Sequence, residues 1–180
     1  MLFRSELIGG ENIVVKNCQL GAQPTGITCK VQEVNKLSFI NNQVYPDGRE
    51  NLVLDACNNC VIEGNNFKSY YNGILVLNGN DNTVNKNIFW LTGAVQNQLL
   101  DHGDDFGIIN VKGNNNMVAS NSLSCEWAYA GAVTVNAVQG TGNVFKNCFV
   151  DNLESYRVFL VNAQTEVSNC VSSDKVSIVE

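Results

Sequence analysis

Val61-Ile62-Glu63-Gly64-Asn65-Asn66-Phe67 is followed, 22 residues on, by Thr83-Val84-Asn85-Lys86-Asn87-Ile88-Phe89. Both stretches read apolar-x-x-Asn-x-apolar, through Ile62, Asn65 and Phe67 and then Val84, Asn87 and Phe89. The template extends in both directions. It fits Val14 to Asn17, Phe39-Asn42-Val44, Val118-Asn121-Leu123, Val144-Asn147-Phe149 and finally Asn169-Val171. The anchors Asn17, Asn42, Asn65, Asn87, Asn121, Asn147 and Asn169 are separated by 25, 23, 22, 34, 26 and 22 residues. Two copies are imperfect: Leu20 stands one place late after Asn17, and Glu166 fills the apolar slot before Asn169.

A second element precedes most anchors. It is a glycine or polar residue followed by a short run rich in β-branched residues, as in Gly26-Ile27-Thr28, Leu52-Val53-Leu54 and Gly73-Ile74-Leu75-Val76-Leu77. Gly107-Ile108-Ile109-Asn110-Val111, Gly131-Ala132-Val133-Thr134-Val135 and Val158-Phe159-Leu160-Val161 continue the series. Short β-rich runs bounded by Gly or Asn read as strands. A period near 23 residues with at least two strands per repeat predicts an all-β, right-handed parallel β-helix of about seven coils, one domain over 1–180. A leucine-rich repeat shares the period but requires a leucine signature that is missing. Asn suits the sharp bends because it tolerates the left-handed conformation. Stacked Asn side chains can also hydrogen-bond from rung to rung.

Composition agrees. The chain has 28 Asn, only two Pro and a formal net charge of −6. Asn disfavours helix interiors, and an acidic chain lacks the basic footprint of a nucleic-acid binder. No apolar run reaches the roughly 18 residues of a membrane span. Met1-Leu2-Phe3-Arg4-Ser5-Glu6 does not open a secretory signal. The seven cysteines are odd in number and irregularly spaced, which is not a disulfide framework. Cys57-Asn58-Asn59-Cys60 has no second pair to complete a zinc site. These thiols read as small residues buried at turns, and neither metal nor cofactor is expected.

Three segments carry a narrower likeness: Tyr45-Pro46-Asp47-Gly48-Arg49-Glu50-Asn51-Leu52-Val53-Leu54, Gly103-Asp104-Asp105-Phe106-Gly107-Ile108-Ile109-Asn110-Val111, and Asn115-Asn116-Met117-Val118-Ala119-Ser120-Asn121-Ser122-Leu123-Ser124. Together they resemble the C-terminal part of inulin fructotransferases and the related difructose-anhydride hydrolases, within the pectin-lyase-like β-helix superfamily. The resemblance implies a homotrimer with active sites near subunit interfaces and a fructan or oligosaccharide substrate. Its chemistry would be intramolecular fructosyl transfer releasing a cyclic difructose, or hydrolysis of that product, by an Asp and a downstream Glu. Glu6 matches that glutamate by its distance from the C-terminus. Family members are much longer, so the resemblance implies a fragment of a longer solenoid, or an inactive relative, with the partner aspartate before Met1. The alternative is a non-catalytic carbohydrate-binding or structural module.

Within the chain, the longest coil holds the extra stretch Thr92 to Asp105, with Asp101, His102, Asp104 and Asp105. Insertions in solenoids loop out on one face, often the binding face. Paired carboxylates suit glycosyl transfer, one protonating the leaving oxygen while the other deprotonates the attacking hydroxyl. Crowding of the three Asp would raise at least one pKa. The same residues also read as a solvated acidic loop, with Asp104 capping the turn into Gly107 and His102 a surface residue. Calcium is a further reading, without an EF-hand pattern to support it. Arg49 follows a Pro-Asp-Gly turn and can bind sugar hydroxyls, pair with Glu50, or act as the base of a pectate-lyase-type reaction. Trp127 and Tyr129 can stack on sugar or pack between subunits.

Overall fold

A computed structural model of the chain describes residues 5–21, 26–45, 50–71, 73–92, 105–126, 133–151, 155, 157–171 and 175–179. The first coil is β1 (Ser5–Glu11), β2 (Val14–Lys16) and β3 (Gln19–Leu20), and the second is β4 (Cys29–Asn35), β5 (Ser38–Ile40) and β6 (Gln43–Val44). The third is β7 (Leu52–Asp55), β8 (Val61–Glu63) and β9 (Asn66–Ser69), and the fourth is β10 (Leu75–Asn78), β11 (Thr83–Asn85) and β12 (Ile88–Leu91). The fifth is β13 (Ile109–Val111), β14 (Met117–Ala119) and β15 (Ser122–Cys125), and the sixth is β16 (Val135–Ala137), β17 (Val144–Lys146) and β18 (Phe149–Asp151). Then come β19 (Phe159–Asn162), β20 (Glu166–Ser168) and β21 (Val176–Val179).

Every third strand pairs in parallel, which gives faces of eight, seven and six strands around one column. The coils are therefore about seven, six of them with all three strands among the described residues, where the sequence demanded only two strands each. Lys175 to Glu180, open between strand and cap, supplies β21, which pairs with β19.

The column is filled by side chains stacked in register. Leu52, Leu75, Ile109, Val135 and Phe159 form one inner row of the eight-stranded face. Phe39, Ile62, Val84, Val118 and Phe145 form a row of the seven-stranded face. Val44, Phe67, Phe89, Leu123 and Val150 do the same on the six-stranded face. All are at 2 % exposure or less. Burying each contributes about 1.5–3 kcal/mol, so the core grows rung by rung.

The corners explain the asparagines. Asn42, Asn65, Asn87 and Asn121 are buried and stacked. Asn42 Nδ2 donates to Asn65 Oδ1 at 3.0 Å, Asn65 Nδ2 to Asn87 Oδ1 at 2.9 Å, and Asn87 Nδ2 to Asn121 Oδ1 at 3.0 Å. The residue before each takes the left-handed bend: Asn41, Gly64, Lys86 and Ser120 all have φ of 53–66°. Three sequence anchors need correction. Asn17, Asn147 and Asn169 occupy the bend, with φ of 56°, 54° and 52°. The inner slot in those coils belongs to the half-buried Cys18 and to the buried Cys148 and Cys170. The Cys18 amide donates to Asn42 Oδ1 at 3.0 Å and the Cys148 amide to Cys170 Sγ at 3.4 Å. This one-residue shift puts Leu20 and Val167 in the regular apolar slots.

A second buried ladder, Asn82, Asn116 and Asn143, lines the other turn into the seven-stranded face, with 3.0 and 3.1 Å amide-to-amide bonds. Beside it Gly79, Gly113 and Gly140 stack so closely that a Cβ on any of them would strike the carbonyl of the coil before. All seven cysteines are free; five are buried, while Cys18 and Cys125 are half-buried, and Cys29 and Cys125 lie in strands rather than at turns. Burial pushes the Cys29 thiol up to about 12. The Cys60 thiol is raised, first by the neighbouring Cys57 thiol and then by burial.

Candidate functional site

The outward side of the eight-stranded face carries a groove of about 170 Å³, lined by Asp105, Phe106, Asn110, Lys112, Asn136 and Gln139. Its shape follows from β13 and β16 lying side by side. Asn110 is buried, and both ends of its amide close on Gly107: Nδ2 donates to the Gly107 carbonyl at 2.7 Å, and the Gly107 amide donates to Oδ1 at 2.9 Å. Gly107 itself lies close to the next coil, where a Cβ would sit 2.9 Å from the Thr134 carbonyl. Asn136 Nδ2 donates to the Asp105 carbonyl at 2.7 Å. The chain entering β13 is thus pinned to its own rung and to the next one.

That pinning presents the Asp105 side chain. Arg157 Nη1 donates to Asp105 Oδ1 at 2.7 Å, with Arg157 largely covered and the carboxylate 57 % exposed. The ammonium of Lys112 and the amide of Gln139 border the same space. A carboxylate, held by the Arg157 guanidinium beside the groove, together with a lysine and amide side chains along it, offers donors and acceptors to a polyhydroxylated ligand. Orientation by a few polar groups is what a small-molecule site requires.

Among the candidates from the sequence, Asp105 lies in this groove. Glu6 is exposed on β1 of the same face and pairs in register with Lys30. Four strand spacings separate Glu6 from the β13 rung, about 19 Å, so the fold does not bring Glu6 to Asp105. Arg49, Asp101, His102, Asp104, Trp127 and Tyr129 lie outside the described residues. Arg157, Asn136 and Lys112 were not singled out by sequence reasoning. Arg157 is 52 residues from its partner, and no local pattern signals that pairing. Among the described residues no three His, Cys, Asp or Glu side chains gather as a metal site would require.

The family described as a right handed beta helix region matches residues 25–178. No curated protein sequence matches the chain. Solved structures do. The DFA-IIIase of Arthrobacter chlorophenolicus A6 without its lid superposes with a TM-score of 0.82 at 24 % identity, covering 97 % of this chain and 46 % of that one. The same protein in complex with GF2 gives 0.78 at 19 %, covering 97 % and 49 %. A mutant of it in complex with DFA-III gives 0.75 at 20 %, covering 96 % and 48 %. The chain spans about half the length of these relatives, and at this identity the likeness is one of fold.

Proposed function

We propose that this chain, which belongs to the right handed beta helix family, acts on fructans. Its eight-stranded face would receive a fructan or a cyclic difructose, for intramolecular fructosyl transfer that releases a difructose anhydride or for hydrolysis of that product. The observation that carries this reading is the Asp105–Arg157 pair, 2.7 Å apart, at a polar groove. Two further facts support it. Asp105, Phe106 and Asn110, which line the groove, belong in sequence to one of the three segments that resemble inulin fructotransferases. Solved proteins of similar fold hold GF2 and DFA-III.

In this reading Asp105, Arg157 and Lys112 bind fructosyl hydroxyls. Arg49, Asp101, His102, Asp104 and Trp127 extend the contact, and Glu6 is the acid–base group. The chain works as a homotrimer. Two-carboxylate glycosyl chemistry needs carboxyl groups about 5–9.5 Å apart, so Glu6 and Asp105 of one chain do not serve the same bond. Turnover at Glu6 then requires a second carboxylate other than Asp105. The same separation favours the alternative, a module that binds carbohydrate without turnover.

Incubation with inulin and with DFA-III, followed by chromatography, tests both, with calorimetry run in parallel. Transfer or hydrolysis that disappears in Glu6→Gln supports the enzyme. Binding without product supports the module. A folded protein that neither binds nor converts either sugar contradicts both.

A further inference from the structure

The six-stranded face carries a second feature, on a different side of the column from the groove. Its outward positions alternate with the buried Val44, Phe67 and Phe89. One outward row runs Tyr45, Lys68, Trp90, and the row beside it Gln43, Asn66, Ile88. Tyr45 is 41 % exposed and Trp90 37 %. They stand two rungs apart, about 10 Å, and a cleft of about 110 Å³ lies between them, bordered also by Gln43, Asn66 and Lys68.

We infer that this cleft is a saccharide-binding subsite that holds one ring of a neutral sugar chain, apart from the groove at Asp105. Sugar rings have apolar C–H faces and a rim of hydroxyls. The cleft has matching parts: two aromatic side chains for the faces, and the amides of Gln43 and Asn66 for the rim. The Asn66 side chain makes no hydrogen bond to another described residue, which leaves its donors and acceptor for a ligand. Tyr45 Oη donates to Gln43 Oε1 at 3.3 Å.

The indole is already fixed. Trp90 Nε1 donates to Glu126 Oε1 at 2.8 Å, and Lys68 Nζ lies 4.2 Å from the ring centroid. A ring held before binding loses little freedom when the ligand arrives. Protein interface cores are depleted in Lys and Glu, yet here Lys68 stands between the two aromatics and Glu126 holds the indole. That mixture fits a sugar better than a second copy of this chain.

Taking the sugar to be a fructan rests on the function proposed above, whereas the cleft's taste for a neutral sugar does not. Calorimetry with long inulin and with a fructo-trisaccharide separates the two sites. Trp90→Ala and Tyr45→Ala are each expected to weaken long inulin at least tenfold and to leave the trisaccharide at the groove unchanged. Trp90→Tyr is expected to recover most of the loss. Asp105→Ala should weaken the trisaccharide. Circular dichroism confirms folding, and Tyr45→Ala carries the test should Trp90→Ala fail to fold. Unchanged long-chain affinity in folded Tyr45→Ala and Trp90→Ala overturns the inference, as does an oligomer that dissociates in these variants. Loss in Trp90→Ala with no effect of Asp105→Ala overturns the groove reading and leaves the subsite standing.

Discussion

The Asn87 side-chain amide donates to the Asn121 amide oxygen at 3.0 Å across 34 residues of chain. Asn65 makes the same bond to Asn87 at 2.9 Å across 22. The extra residues of the long coil leave the ladder untouched. Rungs are matched by register rather than by chain length, which is why a solenoid accepts insertions between its corners.

Asn87 uses its whole amide. Its Oδ1 accepts from the backbone and side chain of Asn65, while its Nδ2 reaches the Ile62 carbonyl and Asn121. Removing one partner of a buried hydrogen bond leaves the other unsatisfied, at about 1–3 kcal/mol. Asn87→Ala is therefore expected to lower unfolding free energy by about 3 kcal/mol in urea titration. Asn87→Cys should lose less, because Cys18, Cys148 and Cys170 already fill this column in other coils.

Gly113 predicts a steric effect rather than a polar one. Its missing Cβ is what allows its coil to lie against the Gly79 carbonyl. Gly113→Ala has no flexible neighbour to displace, only backbone. Overpacking of this kind costs about 1–3 kcal/mol or more. Thermal unfolding should show a clear fall in Tm for Gly113→Ala, and a small change would show that the glycine stack is not tight.

Cys29 gives a pH dependence. Its thiol is raised from 9.0 to about 12, chiefly because burial disfavours the thiolate. A raised folded pKa means that the folded state holds its proton more tightly than the unfolded chain. The associated stability is whole below pH 9 and drains away as pH climbs from 9 towards 12. Tm measured across that range should fall less steeply in Cys29→Ala than in the parent, and equal slopes would refute the assignment.

The fold was legible because Asn is chemically conspicuous at corners. Misplacement of Asn17, Asn147 and Asn169 has a physical cause. The left-handed bend and the buried slot after it both favour Asn, as Asn41-Asn42 shows. When cysteine takes the buried slot, the lone Asn at the bend mimics the anchor. Strand alternation could have found Trp90, since an inward Phe89 turns its neighbour outward. The Asp105 region was legible as an acidic excess in one coil. Its partner Arg157 was not, because only the stacking of rungs joins residues so far apart in sequence.

The central functional claim places sugar on the outward side of β13 and β16, at Asp105 and Arg157. Hydrogen–deuterium exchange with and without a fructo-trisaccharide tests it most directly. Protection is expected across Asp105–Val111 and 133–139, and it should vanish in Asp105→Ala. Exchange in those two segments that is unchanged at saturating sugar would contradict the account.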